Sequence, residues 1–207
     1  MLGPLLLGPA RADEARTLFF AGLDSGHSLH GHMGFKRMLG GSLDRSGFVA
    51  MGIIGAGGRQ DGGGHPIEAG FLGGYQWALP RLHAGLFLGP EVESSRGLRA
   101  GARVQGEIWA RPTDDTLLTV TLIAGSARPQ VWGRVSAGYR LWDDVHFGPE
   151  VSLKHERSWS EWRAGIHLTG PQLAGVTWRL SAGRSFAEAG QEGFYGALSG
   201  HVRFGGP

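Results

Sequence analysis

The sequence predicts an all-β protein: an antiparallel, up-and-down transmembrane β-barrel of about twelve strands joined by short loops. Three observations predict it. Apolar residues alternate with polar or small ones in repeated segments, 38 of the 207 residues are glycines scattered singly, and aromatic residues gather near segment ends. A period of two gives each strand one face for lipid and one for a lumen. Single glycines suit backbones that approach closely at bends or inside a barrel. Aromatics at strand ends suit the two interfacial girdles.

Residues 1–14, MLGPLLLGPARADE, read as the remnant of an export signal or an N-terminal arm, with Leu5–Leu7 as a short apolar core and Ala10-Arg11-Ala12 as a small-x-small cleavage site. The barrel occupies 15–207. Its segments run roughly 15–24, 27–39, 47–57, 65–77, 80–92, 97–110, 115–125, 129–141, 145–156, 158–168, 173–183 and 193–204. The last shows the pattern most cleanly: Phe194, Gly196, Leu198, Gly200, Val202 and Phe204 share one face, while Tyr195, Ala197, Ser199, His201 and Arg203 share the other. Segment 97–110 repeats it, with Arg99, Arg103 and Glu107 all on one face, which fits a polar lumen rather than a soluble core. Segment 115–125 is apolar on both faces; without it and one neighbour, ten strands is the alternative.

Turn chemistry separates the segments at Gly40-Gly41-Ser42, Asp61-Gly62-Gly63-Gly64, Arg111-Pro112-Thr113-Asp114-Asp115 and Asp143-Asp144. With both termini in the periplasm, the outer loops include 58–65 and 184–192. One hairpin pattern occurs twice: Gly74-Tyr75-Gln76-Trp77 followed by Gly89-Pro90-Glu91-Val92, and Gly138-Tyr139-Arg140-Leu141 followed by Gly148-Pro149-Glu150-Val151. Proline cannot donate to a ladder, so bulges are expected at Pro90 and Pro149. Girdle aromatics are expected at Phe19 and Phe20, Tyr75 and Trp77, Tyr139 and Trp142, and Trp159 and Trp162.

Composition narrows the chemistry. The absence of cysteine removes thiolate metal sites, cysteine nucleophiles and disulfides. No run of about 18 apolar residues exists to form a membrane helix. Charge is near balance, 20 Lys+Arg against 18 Asp+Glu, and no basic run accompanies the sequence pI near 9.4, so nucleic acid is not an expected partner. Only Lys36 and Lys154 are lysine; arginine, with its rigid fork, suits crowded ion-pair networks.

The Gly-Tyr-Gln-Trp hairpin, the two Gly-Pro-Glu hairpins, the export signal and the terminal strand ending Arg203-Phe204 resemble the BcsS-type cellulose-biosynthesis proteins of alphaproteobacteria, over roughly Leu18 to Phe204. The resemblance implies an outer-membrane component that accompanies cellulose synthase, with glucan chains or cellulose-secretion components as partners besides lipid. It brings no catalytic residues. Here Gly205-Gly206-Pro207 follows the terminal aromatic on which barrels usually end.

The polar set on expected lumen positions is Glu68, Arg81, Glu91, Arg99, Arg103, Glu107, Arg134, Arg140, Glu150, Glu161, Arg163, Arg179 and Arg203, joined by His83, His146, Lys154, His167 and His201. Both signs interleave. One reading is an internal salt-bridge network that fills the barrel, because unpaired buried charge is costly. A second is a polar path or groove for neutral hydroxyl-rich chains, with Trp109 and Trp132 as stacking surfaces; a third is an ion-selective pore. Strand parity further predicts that Glu91 and Glu150 pair with lumen arginines.

Two other constellations carry reactive side chains. His30 and His32 share a strand face and would grip a metal, but no third ligand is identifiable, so no metal and no cofactor are expected. Ser28 with His30, oriented by Glu161 or Asp24, would make a hydrolytic pair, but no nucleophile-elbow pattern surrounds the serine. The expectation is therefore a non-enzymatic outer-membrane accessory of cellulose or exopolysaccharide production, with a small diffusion channel or a barrel enzyme acting on lipid or polysaccharide as alternatives.

Overall fold

A computed structural model describes residues 15–59, 66–94, 97–157 and 159–205. The export segment and most of the 58–65 loop lie outside the described residues. The strands are β1 (Ala15–Ser25), β2 (Ser28–Met38), β3 (Gly47–Arg59), β4 (Ile67–Leu79), β5 (Leu82–Ser94), β6 (Leu98–Ala110), β7 (Thr116–Gly125), β8 (Gln130–Trp142), β9 (Val145–Glu156), β10 (Trp159–Leu173), β11 (Val176–Ala187) and β12 (Glu192–Gly205). Each pairs antiparallel with the next, and β1 closes on β12, with Leu23 opposite Leu198. Closure leaves no free edge, the condition for strands to cross a membrane.

The two faces are inverted relative to a soluble protein. Outward positions carry exposed apolar side chains such as Leu23, Met33, Ile54, Phe71, Leu122 and Ile166. Inward positions bury Glu91, Arg103, Glu150, Glu161, Arg163 and Arg179. In water such an apolar exterior would be unfavourable; against acyl chains it is the stable arrangement. β7 is a strand like the others, with Leu117, Thr119, Thr121 and Ile123 inward and Leu118, Val120, Leu122 and Ala124 outward, so the barrel has twelve strands rather than ten.

Pro90 and Pro149 correct one expectation, because neither makes a bulge. β5 keeps a constant register with β4 and β6, and β9 with β10, across both prolines. On the β8 side of Pro149 the register also holds from Ser136–Glu150 to Tyr139–Phe147. The preceding glycine explains how. A Cβ on Gly89 would lie 2.1 Å from the Phe71 carbonyl oxygen, and one on Gly148 would lie 2.0 Å from that of Ala137. The neighbouring strand closes against the bare glycine, so the proline needs no extra residue to be accommodated. The register instead shifts at Gly170-Pro171 in β10, where Gly170 has φ +110°.

Outer aromatics group toward both barrel ends. Phe19 meets Phe204 edge-on at 5.5 Å, and Tyr75 lies 5.2 Å from Phe48 and 5.1 Å from Trp77. Trp162 stacks on Phe186 at 4.1 Å. Phe20 and Trp159 are corrections to the expected girdles: Phe20 packs against the inner apolar cluster, and Trp159 is buried.

That cluster occupies one wall at the end carrying both termini: Ala15, Met38, Val49, Met51, Leu72 and Phe87, with Leu43 added from the β2–β3 turn. The turn, Leu39–Ser46, folds against the inner wall. The Leu43 N–H donates to the Ala15 carbonyl (2.8 Å), the Gln76 amide donates to the Leu43 carbonyl (2.6 Å), and Arg203 of β12 holds Asp44 (2.6 Å).

Candidate functional site

The barrel lumen holds a cavity of about 810 Å3, lined from Ser28, Arg128 and Glu156 at one end to Asp44, Arg111 and Asp144 at the end bearing the termini. Strand parity aims the side chains, and the charges then pair across and around the lumen. Lys36 of β2 reaches Glu107 of β6, which also accepts from the Gln105 amide (2.6 Å). Glu68 of β4 gathers His30 (3.3 Å), Arg103 (3.7 Å) and the Gln130 amide of β8 (3.4 Å). These contacts span several strands, so they narrow the cavity as well as neutralise it.

On the β8–β12 wall, Glu150 is bound by Arg179, Ser181 (3.2 Å) and the Tyr195 hydroxyl (3.2 Å). Arg163 holds Glu161 with two nitrogens, at 2.9 and 3.2 Å, and extends to Asp24 of β1. Arg179 also donates to Thr169 (2.8 Å), and Thr119 bonds Ser136 (2.7 Å). Nearer the mouth, Arg128 (2.5 Å) and Lys154 (3.0 Å) share Glu156. Buried charges are tolerated when paired and hydrogen-bonded in this way.

The structure therefore brings Glu68, Arg103, Glu107, Glu150, Glu161, Arg163 and Arg179 together in ion-paired clusters. Arg134 lines the same cavity, its guanidinium 5.4 Å from the Trp132 ring centroid. Glu91 faces inward, but its partner is not an arginine: the Ala127 N–H of the β7–β8 turn donates to it (3.0 Å). That turn bends over Gly101, whose missing side chain leaves it room. The remaining four stand at the rims. Arg81 sits in the β4–β5 turn and pairs with Asp114 (2.8 Å), Arg140 pairs with Asp115 (2.5 Å), Arg203 pairs with Asp44, and Arg99 is exposed opposite Glu93.

Asp24, Lys36, Glu93, Arg128 and Glu156 belong to the lumen and were missed. Asp24 shares a strand face with Leu18 and Phe20, so that face reads as apolar; Lys36 shares its face with Ser28, His30 and His32, a polar signal that could have placed it. Arg128 arrives from a turn, where parity gives no direction. Glu93 is 4% exposed, and neither carboxylate oxygen has a hydrogen-bond partner among the described residues.

The histidine and serine constellations disperse. His30 and His32 lie ring to ring at 5.9 Å, and no group of three metal-binding side chains forms among the described residues. Asp24 and Glu161, the groups that would orient a Ser28–His30 pair, both bind Arg163, while His30 turns to Glu68.

The family model for the cellulose biosynthesis protein BcsS matches residues 18–204. The chain belongs to the BcsS family. Among curated proteins none matches it by sequence. The BcsS-family barrel is similar in fold to the KdgM porin, alone and in complex with disordered oligogalacturonate; both comparisons give a TM-score of 0.58, at 10% and 11% identity, covering 90% of this chain and 99% of the porin. The β domain of the Bordetella autotransporter BrkA matches at a TM-score of 0.49 and 16% identity, over 94% of this chain and 100% of that domain. This BcsS-family member is an outer-membrane β-barrel, its apolar belt in contact with lipid.

Proposed function

We propose that the protein is a non-catalytic outer-membrane accessory of cellulose or related exopolysaccharide production, and that its lumen contacts the neutral glucan during secretion. The observation that carries this reading is the lining of the cavity. Apart from Glu93 and Arg134, its buried carboxylates and cations largely neutralise one another, leaving a hydrogen-bonding surface with Trp109 and Trp132 in it. Such a wall suits hydroxyl-rich, uncharged chains better than ions of either sign. A porin of the same fold forms a complex with an oligosaccharide, oligogalacturonate, which supports the use of this architecture for sugars. The ends of the barrel are assigned with both termini in the periplasm and the Arg128–Glu156 mouth outward.

Deleting the gene in its host tests the reading. Extracellular cellulose should fall while membrane-bound glucan synthesis persists; unchanged secretion would refute it. A diffusion channel is the second reading, favoured by a cavity lined at both ends. Planar-bilayer conductance of the refolded protein, beside an Arg99→Ala/Arg103→Ala double variant, separates the two. Stable conductance that rises in the variant favours the channel, whereas silence from both favours an occluded accessory barrel.

A further inference from the structure

Lumen cations come with carboxylates: Lys36 with Glu107, Arg103 with Glu68, Arg128 and Lys154 with Glu156, Arg163 with Asp24 and Glu161, Arg179 with Glu150. Arg134 breaks the pattern. It lines the cavity from β8 and forms no ion pair with the described residues; its guanidinium lies over the face of Trp132. Its Nε is buried with no hydrogen-bond partner among the described residues. The carboxylates that act on it, Glu150 and Asp24, are already held by Arg179 and Arg163. A guanidinium presented to a confined space without acceptors gives up hydrogen bonds that water or a ligand would supply.

Its neighbours along the strand have the complementary chemistry. Gln130, Trp132 and Arg134 alternate along the lumen face of β8, each separated by one outward residue. At about 3.4 Å rise per residue they are spaced about 7 Å apart. Trp132 is half-buried, with part of its ring toward the cavity. An indole accepts the apolar face of a pyranose ring, and a planar guanidinium donates two parallel hydrogen bonds to adjacent oxygens. Arg134, Arg163 and Arg179 stand against an equal number of carboxylates, Asp24, Glu150 and Glu161, so the cluster as a whole is near neutral and suits hydroxyls more than an anionic group.

We propose that Gln130, Trp132 and Arg134 form a saccharide-binding track on β8 that holds a neutral β-glucan, with one sugar ring stacked on Trp132 and its hydroxyls bound by Arg134. The track names the contact surface of the function proposed above and rests on that reading for its ligand.

The test is calorimetric titration of the refolded full chain with cellohexaose, with oligogalacturonate as a charged comparator. Wild type should bind cellohexaose saturably. Trp132→Ala and Arg134→Gln should each weaken binding by about tenfold or more. Arg134→Lys should weaken it as well, because the lysine keeps the charge and loses the fork, whereas lipid-facing Trp162→Phe should bind as wild type. Heat-modifiable migration on gels verifies that each variant has folded. Absence of saturable binding to wild type, unaltered affinity in both Trp132→Ala and Arg134→Gln, or preference for oligogalacturonate would each overturn the track. The gene deletion separates the two claims. Lost secretion without cellohexaose binding refutes the track alone, and intact secretion with track-dependent binding refutes the secretion role alone.

Discussion

The two inner walls of this barrel are built by opposite means. The β2–β5 wall is filled by Met38, Val49, Met51, Leu72 and Phe87, side chains that need only exclude water and fit. The β8–β12 wall is filled by Glu150, Glu161, Arg163, Arg179, Thr169 and Tyr195, which are stable there only because each finds a partner. Apolar packing tolerates small misfits, while a buried ion-pair cluster fails as a unit when one member is removed. The apolar wall anchors the turn that leans on the end bearing the termini, while the polar wall lines the cavity together with Lys36, Glu68, Arg103 and Glu107 from β2–β6.

The comparison breaks most visibly at Glu150. Glu150→Ala leaves Arg179 buried without its carboxylate and frees Ser181 and Tyr195, for an expected loss of about 3–5 kcal/mol in reversible urea unfolding in vesicles. Replacing Glu150 and Arg179 together with leucine and methionine should recover most of it; if the double variant is as unstable as the single, the wall is not held by mutual pairing. On the other side, Leu72→Ala should cost about 2–5 kcal/mol by opening a cavity among Val49, Met51 and Phe87. Raising the salt concentration should leave that difference unchanged. Glu93→Gln should stabilise by about 1–3 kcal/mol, since it removes a charge from a buried carboxylate that lacks a donor among the described residues, and a destabilised variant would disprove this account. The smallest effect is expected at the rim, where Arg81→Ala should shift stability by no more than about 1 kcal/mol, because its pair with Asp114 is exposed.

Strand number, facing and the polarity of the lumen were legible because a membrane barrel repeats one constraint along every strand. Arg103, Glu107 and Glu150 could be placed by parity alone, and the two-faced apolar β7 obeyed the same parity with threonine and leucine inward. What parity could not supply was partnership across the barrel. Glu91 takes a backbone N–H from a turn, Lys36 meets Glu107 from four strands away, and Asp24 belongs to Arg163, 139 residues distant. The prolines were misread for a related reason. A bulge is a local remedy, whereas the remedy used at Pro90 and Pro149 lies in how closely the neighbouring strand approaches the preceding glycine.

The β2–β3 turn is tied at once to the first strand through Ala15 and to the last through Arg203. Those strands are neighbours only after the cylinder has closed. The Asp44–Arg203 and Leu43–Ala15 contacts therefore form together only when insertion is complete, and the turn works as a clasp on the seam. A protease supplied from that side would cut at Leu39–Ser46 in an open sheet and spare it in a closed barrel, so cleavage there reports the instant of closure.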